Sequence, residues 1–228
     1  MSTHPDRIEG LQRLNDASLS LSHVYYLHLR TLFPAIIDCA QLAHGDLLDI
    51  GCGNKPYEQH FKPSITSYTG CDVIQSSANK VDIICPATDI PLPERSFDTV
   101  LCTQVLEHVA EPRRVIAESF RLLRKNGTML LTCPMYWPLH EEPFDFFRYT
   151  THGLRYIFEE AGFSIESIHG NGGKWATCGQ AIQHAIQGGR LDRRSIRKLI
   201  NRIFAHMDDK YPDQKNTMNY ILIARKLT

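Results

Sequence analysis

Short apolar runs alternate with longer polar stretches along most of this chain, and this alternation is the feature that most constrains its fold. Two of the intervening stretches, 112–123 and 151–162, have apolar residues at helical spacing and end near a glycine. Strands alternating with helices predict a doubly wound, mainly parallel sheet, which binds ligands at the carboxyl ends of its strands. The predicted strands are 47–51, 68–73, 81–85, 97–102, 128–133, 163–168 and 220–224.

Helical segments flank this core on both sides. We predict an N-terminal helical cap over residues 1–44, which Pro34 should break into two helices. The main domain should cover 45–228 and contain a helical insertion at about 171–216. Within the insertion, 190–206 reads as a basic amphipathic helix whose apolar face should pack on the domain. That face consists of Ile196, Leu199, Ile200, Ile203 and Phe204.

The overall charge and the cysteines narrow the class of protein. Lys and Arg number 25 and Asp and Glu number 25, which makes nucleic acid an improbable partner because bulk charge could not hold it. No apolar stretch approaches the roughly 20 residues that a membrane helix needs. The seven cysteines are scattered without a C-x-x-C pair, so we expect no metal site and a reducing, cytoplasmic location.

A glycine-containing turn follows the first predicted strand, in the sequence Asp49-Ile50-Gly51-Cys52-Gly53. The two glycines allow a tight turn and a close approach of the backbone to a ligand. A dinucleotide site would need a third glycine where Pro56 stands, which disfavours a nicotinamide oxidoreductase. Asp72 ends the second strand about 20 residues later, where a carboxylate can accept both hydroxyls of a ribose.

These residues, together with 89–93, 96–100 and 104–109, resemble class I S-adenosylmethionine-dependent methyltransferases over residues 45–168, with quinone-biosynthesis methyltransferases as the nearest subgroup. The resemblance implies a Rossmann-like doubly wound sheet with an antiparallel last strand, and S-adenosylmethionine as cofactor. It implies that the glycine loop wraps the methionine part, Asp72 holds the ribose, and Asp89 holds the adenine amino group while the next residue packs on the ring. The implied cofactor residues are Asp49, Gly51, Cys52, Gly53, Asp72, Val73, Asp89, Ile90 and Gln104.

One position departs from the family pattern, because Lys55 stands where that loop has its last glycine. Lys55 could pair with the carboxylate of the cofactor, or it could simply be solvated. The sequence leaves both alternatives open.

Residues 134–150 follow the fifth strand and mix aromatic, proline, histidine and charged residues, as an acceptor pocket or lid would. We predict His140 as a general base, oriented by Asp145, and Arg148 as a binder of an anionic group. His108, after the fourth strand, is a second catalytic candidate. The alternatives without a catalytic role are an exposed His140 in a loop and a structural ion pair between Asp145 and Arg148. Further predicted acceptor contacts are Tyr26, Tyr136, Trp137 and Tyr149.

The predicted reaction is in-line methyl transfer to a small molecule. Through the resemblance alone, oxygen is favoured over nitrogen, and a sugar or secondary metabolite over other acceptors. The alternatives are an RNA or protein methyltransferase and a non-catalytic module that keeps the cofactor fold. A base-amino methyltransferase is disfavoured because Cys102-Thr103-Gln104-Val105 replaces its proline-aromatic motif. The sequence also leaves open whether the protein forms a homodimer.

Overall fold

The computed structural model describes residues 19–228. Their centre is a sheet of seven strands in the order β3-β2-β1-β4-β5-β7-β6. Strands β1 to β5 are parallel, whereas β7 is antiparallel to both of its neighbours, β5 and β6. This arrangement confirms the predicted fold class, including the antiparallel last strand. The strands are β1 (Asp46–Ile50), β2 (Ser67–Asp72), β3 (Ile83–Ile84), β4 (Phe97–Thr103), β5 (Leu123–Pro134), β6 (Ser164–Asn171) and β7 (Asn219–Arg225).

Helices cover both faces of the sheet, because successive strand residues point to opposite sides and both sides are apolar. Leu47 belongs to the apolar cluster on one face and Leu48 to the cluster on the other. The described α-helices are α1 (Tyr26–Cys39), α2 (Glu58–Phe61), α3 (Pro112–Leu122), α4 (Thr151–Glu160), α5 (Lys174–Ile186) and α6 (Arg194–Lys210). Short 3₁₀ turns lie at Ala40–Leu42 and Leu106–His108. None of these described helices is both long and apolar enough to span a membrane.

Two predicted boundaries were wrong. Pro34 lies inside α1 and does not divide it, because its ring is on the exposed side while Leu32, Ile36 and Cys39 are buried. Helix α3 ends at Leu122 and β5 begins at once, so residues 125–127 belong to the strand. The prediction of a second cap helix N-terminal to α1 falls largely on residues 1–18, outside the described residues.

The predicted apolar face of the basic helix is buried only in part, since Ile196, Ile200 and Phe204 are half-buried. In α6 the buried residues are Asn201, Ala205 and Asp208, while Leu199 and Ile203 are exposed. The polar groups are buried because each has partners. The Asp208 carboxylate accepts backbone N–H groups of Gly173 and Ala176 at the start of α5, which replaces a local helix cap.

Helices α5 and α6 hold the segment that precedes α1. The Asn201 side-chain amide donates to the carbonyl oxygens of Leu21 (2.8 Å) and His23 (3.0 Å). The Gln180 amide donates to the carbonyl oxygen of Val24 at 3.0 Å. The C-terminal insertion therefore fixes residues 21–25 next to the carboxyl ends of the parallel strands.

Candidate functional site

A cavity of about 820 Å³ opens at the carboxyl ends of β1, β2 and β4, where a doubly wound sheet binds its ligands. Its floor comes from the strand ends, and its roof from the 21–25 segment, α1 and the loop after β5. The lining residues used below are Gly51, Asp72, Val73, Thr88, Gln104, Val105, His108, His23, Tyr25, His28, Trp137, His140, Phe144 and Phe146.

The glycine turn forms one end of this cavity. Gly51 has φ +71°, and a Cβ built on it would lie 2.3 Å from a methyl carbon of Val105. The backbone N–H groups of Gly51 and Cys52 both donate to the carbonyl oxygen of Cys71. The turn therefore requires glycine at position 51, both for its left-handed backbone and for the space beside Val105.

Asp72 connects this turn to the end of β2. One carboxylate oxygen accepts the backbone N–H of Gly53 at 3.1 Å, and the other accepts that of Val73 at 2.7 Å. Asp72 also lines the cavity. The carboxylate is thus held rigidly between two backbone segments, as a group that positions a ligand must be.

A pair of histidines forms the other end. The rings of His108 and His140 meet edge to face with centroids 4.6 Å apart. His108 donates from Nδ1 to the carbonyl oxygen of Phe144 at 2.8 Å, because a carbonyl can only accept. Nδ1 of His140 lies 3.1 Å from a carboxylate oxygen of Asp145. Burial, followed by repulsion from His108, lowers the pKa of His140 to about 4.

Residues 48–131 match the family model described as a methyltransferase domain. The segment 48–131 is therefore a methyltransferase domain, and the relatives described below support S-adenosylmethionine as its cofactor. The resemblance predicted from the motifs is thereby confirmed. The methyltransferase domain occupies the part of the sheet that carries the glycine turn, Asp72 and the histidine at the end of β4.

Comparisons with individual proteins point the same way. A probable S-adenosylmethionine-dependent methyltransferase of Mycolicibacterium smegmatis is 28% identical over 169 residues, covering 68% of this chain and 65% of that protein. The ubiquinone biosynthesis O-methyltransferase of Nitrosomonas europaea is 29% identical over 102 residues, covering 38% of this chain and 42% of that protein. The chain thus spans less than two thirds of either relative.

A solved structure supports the fold of the methyltransferase domain. The S-adenosylmethionine-dependent methyltransferase of Archaeoglobus fulgidus superposes with a TM-score of 0.57 over 87% of this chain and 91% of that chain. Its sequence is only 16% identical, so the likeness concerns the fold alone.

The predicted cofactor residues separate into two groups. Those that line the cavity are Gly51, Asp72, Val73 and Gln104; those that do not are Asp49, Cys52, Gly53, Asp89 and Ile90. Ile90 is in the apolar core, and its N–H donates to Glu118 of α3, so it cannot pack on a ring in the cavity. Thr88 lines the cavity there instead, one residue before the predicted Asp89.

Asp49 supports the glycine turn from behind. It is almost fully buried and accepts a 2.6 Å hydrogen bond from the Tyr68 hydroxyl. Burial raises the pKa of Asp49 to about 7, although that hydrogen bond opposes the shift. Lys55 fits neither of its predicted roles, because its buried side chain pairs with Asp82.

Gln104 has the left-handed backbone that a non-glycine residue rarely adopts, with φ 55°. Its backbone N–H and its side-chain amide both donate to Thr132 on β5, at 2.9 and 3.1 Å. These two bonds hold the strained residue against the cavity where β4 ends.

Arg148 does not line the cavity, which corrects its predicted role as an anion binder. Its guanidinium forms two hydrogen bonds with Asp145, at 2.6 and 2.8 Å, and donates to the carbonyl oxygens of Trp137, Pro138 and Phe147. Burial acts to raise the pKa of Asp145, but the Arg148 hydrogen bond and the backbone of His140 outweigh it and bring it to about 2. The Asp145–Arg148 ion pair thus stabilises the loop that follows β5 and makes its contacts within that loop.

Of the aromatic residues predicted to contact the acceptor, only one lines the cavity. Trp137 lines the cavity and packs on the rings of His28, at 4.5 Å, and His184, at 4.9 Å. Tyr26, Tyr136 and Tyr149 do not line it. Tyr149 is buried, and its hydroxyl donates to the carbonyl oxygen of Leu106.

Three residues outside the predicted site set also reach the cavity. His23 and Tyr25 reach it from the segment before α1, and the buried His28 reaches it from α1 itself. Burial, followed by repulsion from His184, lowers the pKa of His28 to about 3. Glu107, next to His108, is completely buried, and burial raises its pKa to about 8.

Proposed function

We propose that this chain transfers the methyl group of S-adenosylmethionine to an oxygen atom of a small molecule. The observation that carries the proposal is a single cavity that joins two different ends. One end has the glycine turn and Asp72, and the other has His108 and His140. A methyl donor and an acceptor bound in one cavity can react in line.

The residues at the first end suit the cofactor. The rigidly held Asp72 would accept ribose hydroxyls, and the Gly51 turn would run beside the methionine part. Val73, Thr88 and Gln104 complete this wall. When bound, the cofactor supplies a methyl group already activated on a sulfonium, so the chain itself need only bind and orient the reactants.

The second end suits a small acceptor with a hydroxyl group. Aromatic rings of Trp137, Phe144 and Phe146 give apolar contact area, while the histidines provide ring nitrogens that accept a hydrogen bond. The name of the Nitrosomonas europaea relative, an O-methyltransferase, supports oxygen as the acceptor atom. A sugar or secondary metabolite stays the predicted acceptor class, and His140 stays a predicted base.

Calorimetric titration with S-adenosylmethionine and S-adenosylhomocysteine tests the cofactor half, with NADH as the negative control. Asp72→Asn should weaken binding by about 10–100-fold, the usual cost of losing a charged hydrogen bond. Asp98→Asn is the matched control, because Asp98 also accepts a backbone N–H but lies near the amino end of β4, away from the cavity. Binding of NADH alone would overturn the proposal.

Mass spectrometry of methylated products from a hydroxyl-containing compound library tests the acceptor half. Products should carry the methyl group on oxygen, and Trp137→Ala should raise the acceptor KM while leaving the cofactor Kd unchanged. Methylated RNA or protein in place of small molecules would favour the alternative substrates. Cofactor binding without any transfer would favour a non-catalytic module.

Two further predictions concern the protein in its setting. All seven cysteines lie within residues 19–228 and are free thiols, six of them buried, which supports a reducing, cytoplasmic location. The homodimer stays a prediction.

A further inference from the structure

We propose that Glu107, His108 and His140 form a binding site for a divalent first-row transition-metal ion at the acceptor end of the cavity. Each of the three side chains offers one ligand atom, and these atoms all lie within 4.8 Å of one another. Nε2 of His108 is 3.9 Å from a carboxylate oxygen of Glu107. Two imidazoles and one carboxylate are the ligand set of many catalytic zinc sites.

The hydrogen bonds of the two rings prepare them for a metal ion. His108 uses Nδ1 to donate to the Phe144 carbonyl oxygen, and His140 uses Nδ1 to donate to the Asp145 carboxylate. In the neutral tautomer that donates from Nδ1, each ring offers Nε2 to a metal ion. Metal-binding histidines characteristically donate their other ring N–H to a carbonyl or carboxylate in this way, which fixes the tautomer and the ring orientation.

Glu107 supplies an independent observation. Its side chain is completely buried, and within residues 19–228 neither carboxylate oxygen has a hydrogen-bond partner. An unpartnered buried carboxyl group costs free energy. Coordination to a cation would satisfy it. The backbone carbonyl of Glu107 accepts the N–H groups of Phe146 and Phe147, so this residue is also tied to the loop that carries His140.

The donor set decides the kind of metal ion. Mg²⁺ and Ca²⁺ prefer oxygen ligands throughout, whereas two imidazole nitrogens favour zinc and its first-row neighbours. In a tetrahedral zinc site the ligand atoms lie about 3.3 Å apart. Small rotations of the three side chains would bring their ligand atoms together. Because the protein provides three ligands, one coordination position stays open toward the cavity.

The metal ion would also determine which class of compound accepts the methyl group, an inference that rests on the proposed function. A hydroxyl bound in the open position loses its proton more readily, and that proton passes to solvent water. The oxygen then forms its bond to the methyl carbon while the carbon–sulfur bond breaks, leaving S-adenosylhomocysteine. The acceptor class would be a compound with a metal-binding hydroxyl, and the metal would perform the task predicted for His140 as base.

Titration of the untagged, chelator-treated full chain with Co²⁺ tests the site, because tetrahedral Co²⁺ has a characteristic visible spectrum. We expect one equivalent to bind with tetrahedral bands. Glu107→Gln and His140→Ala should each weaken binding by at least about 100-fold, and Asp145→Asn by about 10–100-fold. His152→Ala, an exposed histidine away from the cavity, is the matched control and should leave the titration unchanged.

Thermal unfolding of each variant shows that the comparison concerns folded protein. Wild-type protein without stoichiometric Co²⁺ binding, or Glu107→Gln and His140→Ala variants that bind as the wild type does, would overturn the site. S-adenosylmethionine binding is measured on the same samples. Loss of metal binding with intact cofactor binding contradicts only this inference, whereas metal binding without cofactor binding contradicts only the proposed function.

Discussion

Gly51 and Gly188 both have a left-handed backbone, with φ +71° and +73°, but their surroundings differ. A Cβ at Gly51 would collide with Val105, whereas a Cβ at Gly188 would meet nothing within 4 Å. We expect Gly188→Ala to cost at most about 1–2 kcal/mol for the backbone alone. Gly51→Ala should cost about 1–3 kcal/mol more, because Val105 has to move. Urea unfolding of both variants measures the difference, and equal costs would contradict it.

Asp49 predicts a pH dependence of stability. Its pKa is about 7 when folded, against an ordinary value of 3.8. Between these values the folded state keeps a proton that the unfolded state has lost, so the free energy of unfolding falls as pH rises from 4 to 7. The slope is at most about 1.4 kcal/mol per pH unit. Asp49→Asn should remove it, and parallel urea-unfolding curves for both proteins across pH 5–8 would contradict the assignment.

The positions of residues were predictable where neighbouring strand ends meet, while their roles toward a ligand stay predictions. Gly51 and Asp72 belong to one strand end and the next, so their spacing predicted their meeting. The position of Ile90 could not be predicted in this way, because its backbone N–H donates to Glu118, 28 residues later. Likewise, only the folded 135–150 loop brings His140 to Glu107, which is why no metal site was predicted.

At the scale of elements, α6 shows why periodicity alone misplaces a helix face. The buried face is centred on Asn201 and not on the predicted apolar stripe, because the Asn201 side chain makes three hydrogen bonds inside the molecule. Its amide reaches Leu21 and His23, and its oxygen accepts from Gln183 at 2.8 Å. A buried amide with this many partners can outweigh the burial of two leucine-sized side chains.

Asn201→Leu should therefore destabilise the protein by about 2–4 kcal/mol, because it leaves buried carbonyl groups without donors. It should also loosen residues 21–25, which carry His23 and Tyr25 to the cavity. Hydrogen exchange of that segment and the acceptor KM would both rise. Arg202→Ala, the exposed neighbour on the same helix, should change neither. Unchanged exchange in Asn201→Leu would show that other contacts hold the segment.

At the scale of the whole molecule, residues 21–25 meet helices α5 and α6 at the carboxyl ends of the parallel strands. The sheet and its strand order were predictable, because alternating apolar runs leave few topologies. The roof of the cavity was not predictable from the sequence. It depends on buried side-chain amides of α5 and α6, which donate hydrogen bonds to a segment more than 150 residues earlier. The proposed cofactor end is thus formed by residues of neighbouring strand ends. The proposed acceptor end depends on contacts between residues far apart in sequence.

This division predicts which amides a bound ligand protects. S-adenosylhomocysteine at 100 times its Kd should add about 2.7 kcal/mol of stability. Hydrogen exchange should slow most at 51–54 and 72–74, and more weakly at 21–25, because His23 and Tyr25 belong to the same cavity wall. Helix α4 lies outside that wall and serves as the internal control, apart from the uniform effect of global stability. Protection confined to α4, or absent from 51–54, would contradict the assignment of the cavity to the cofactor.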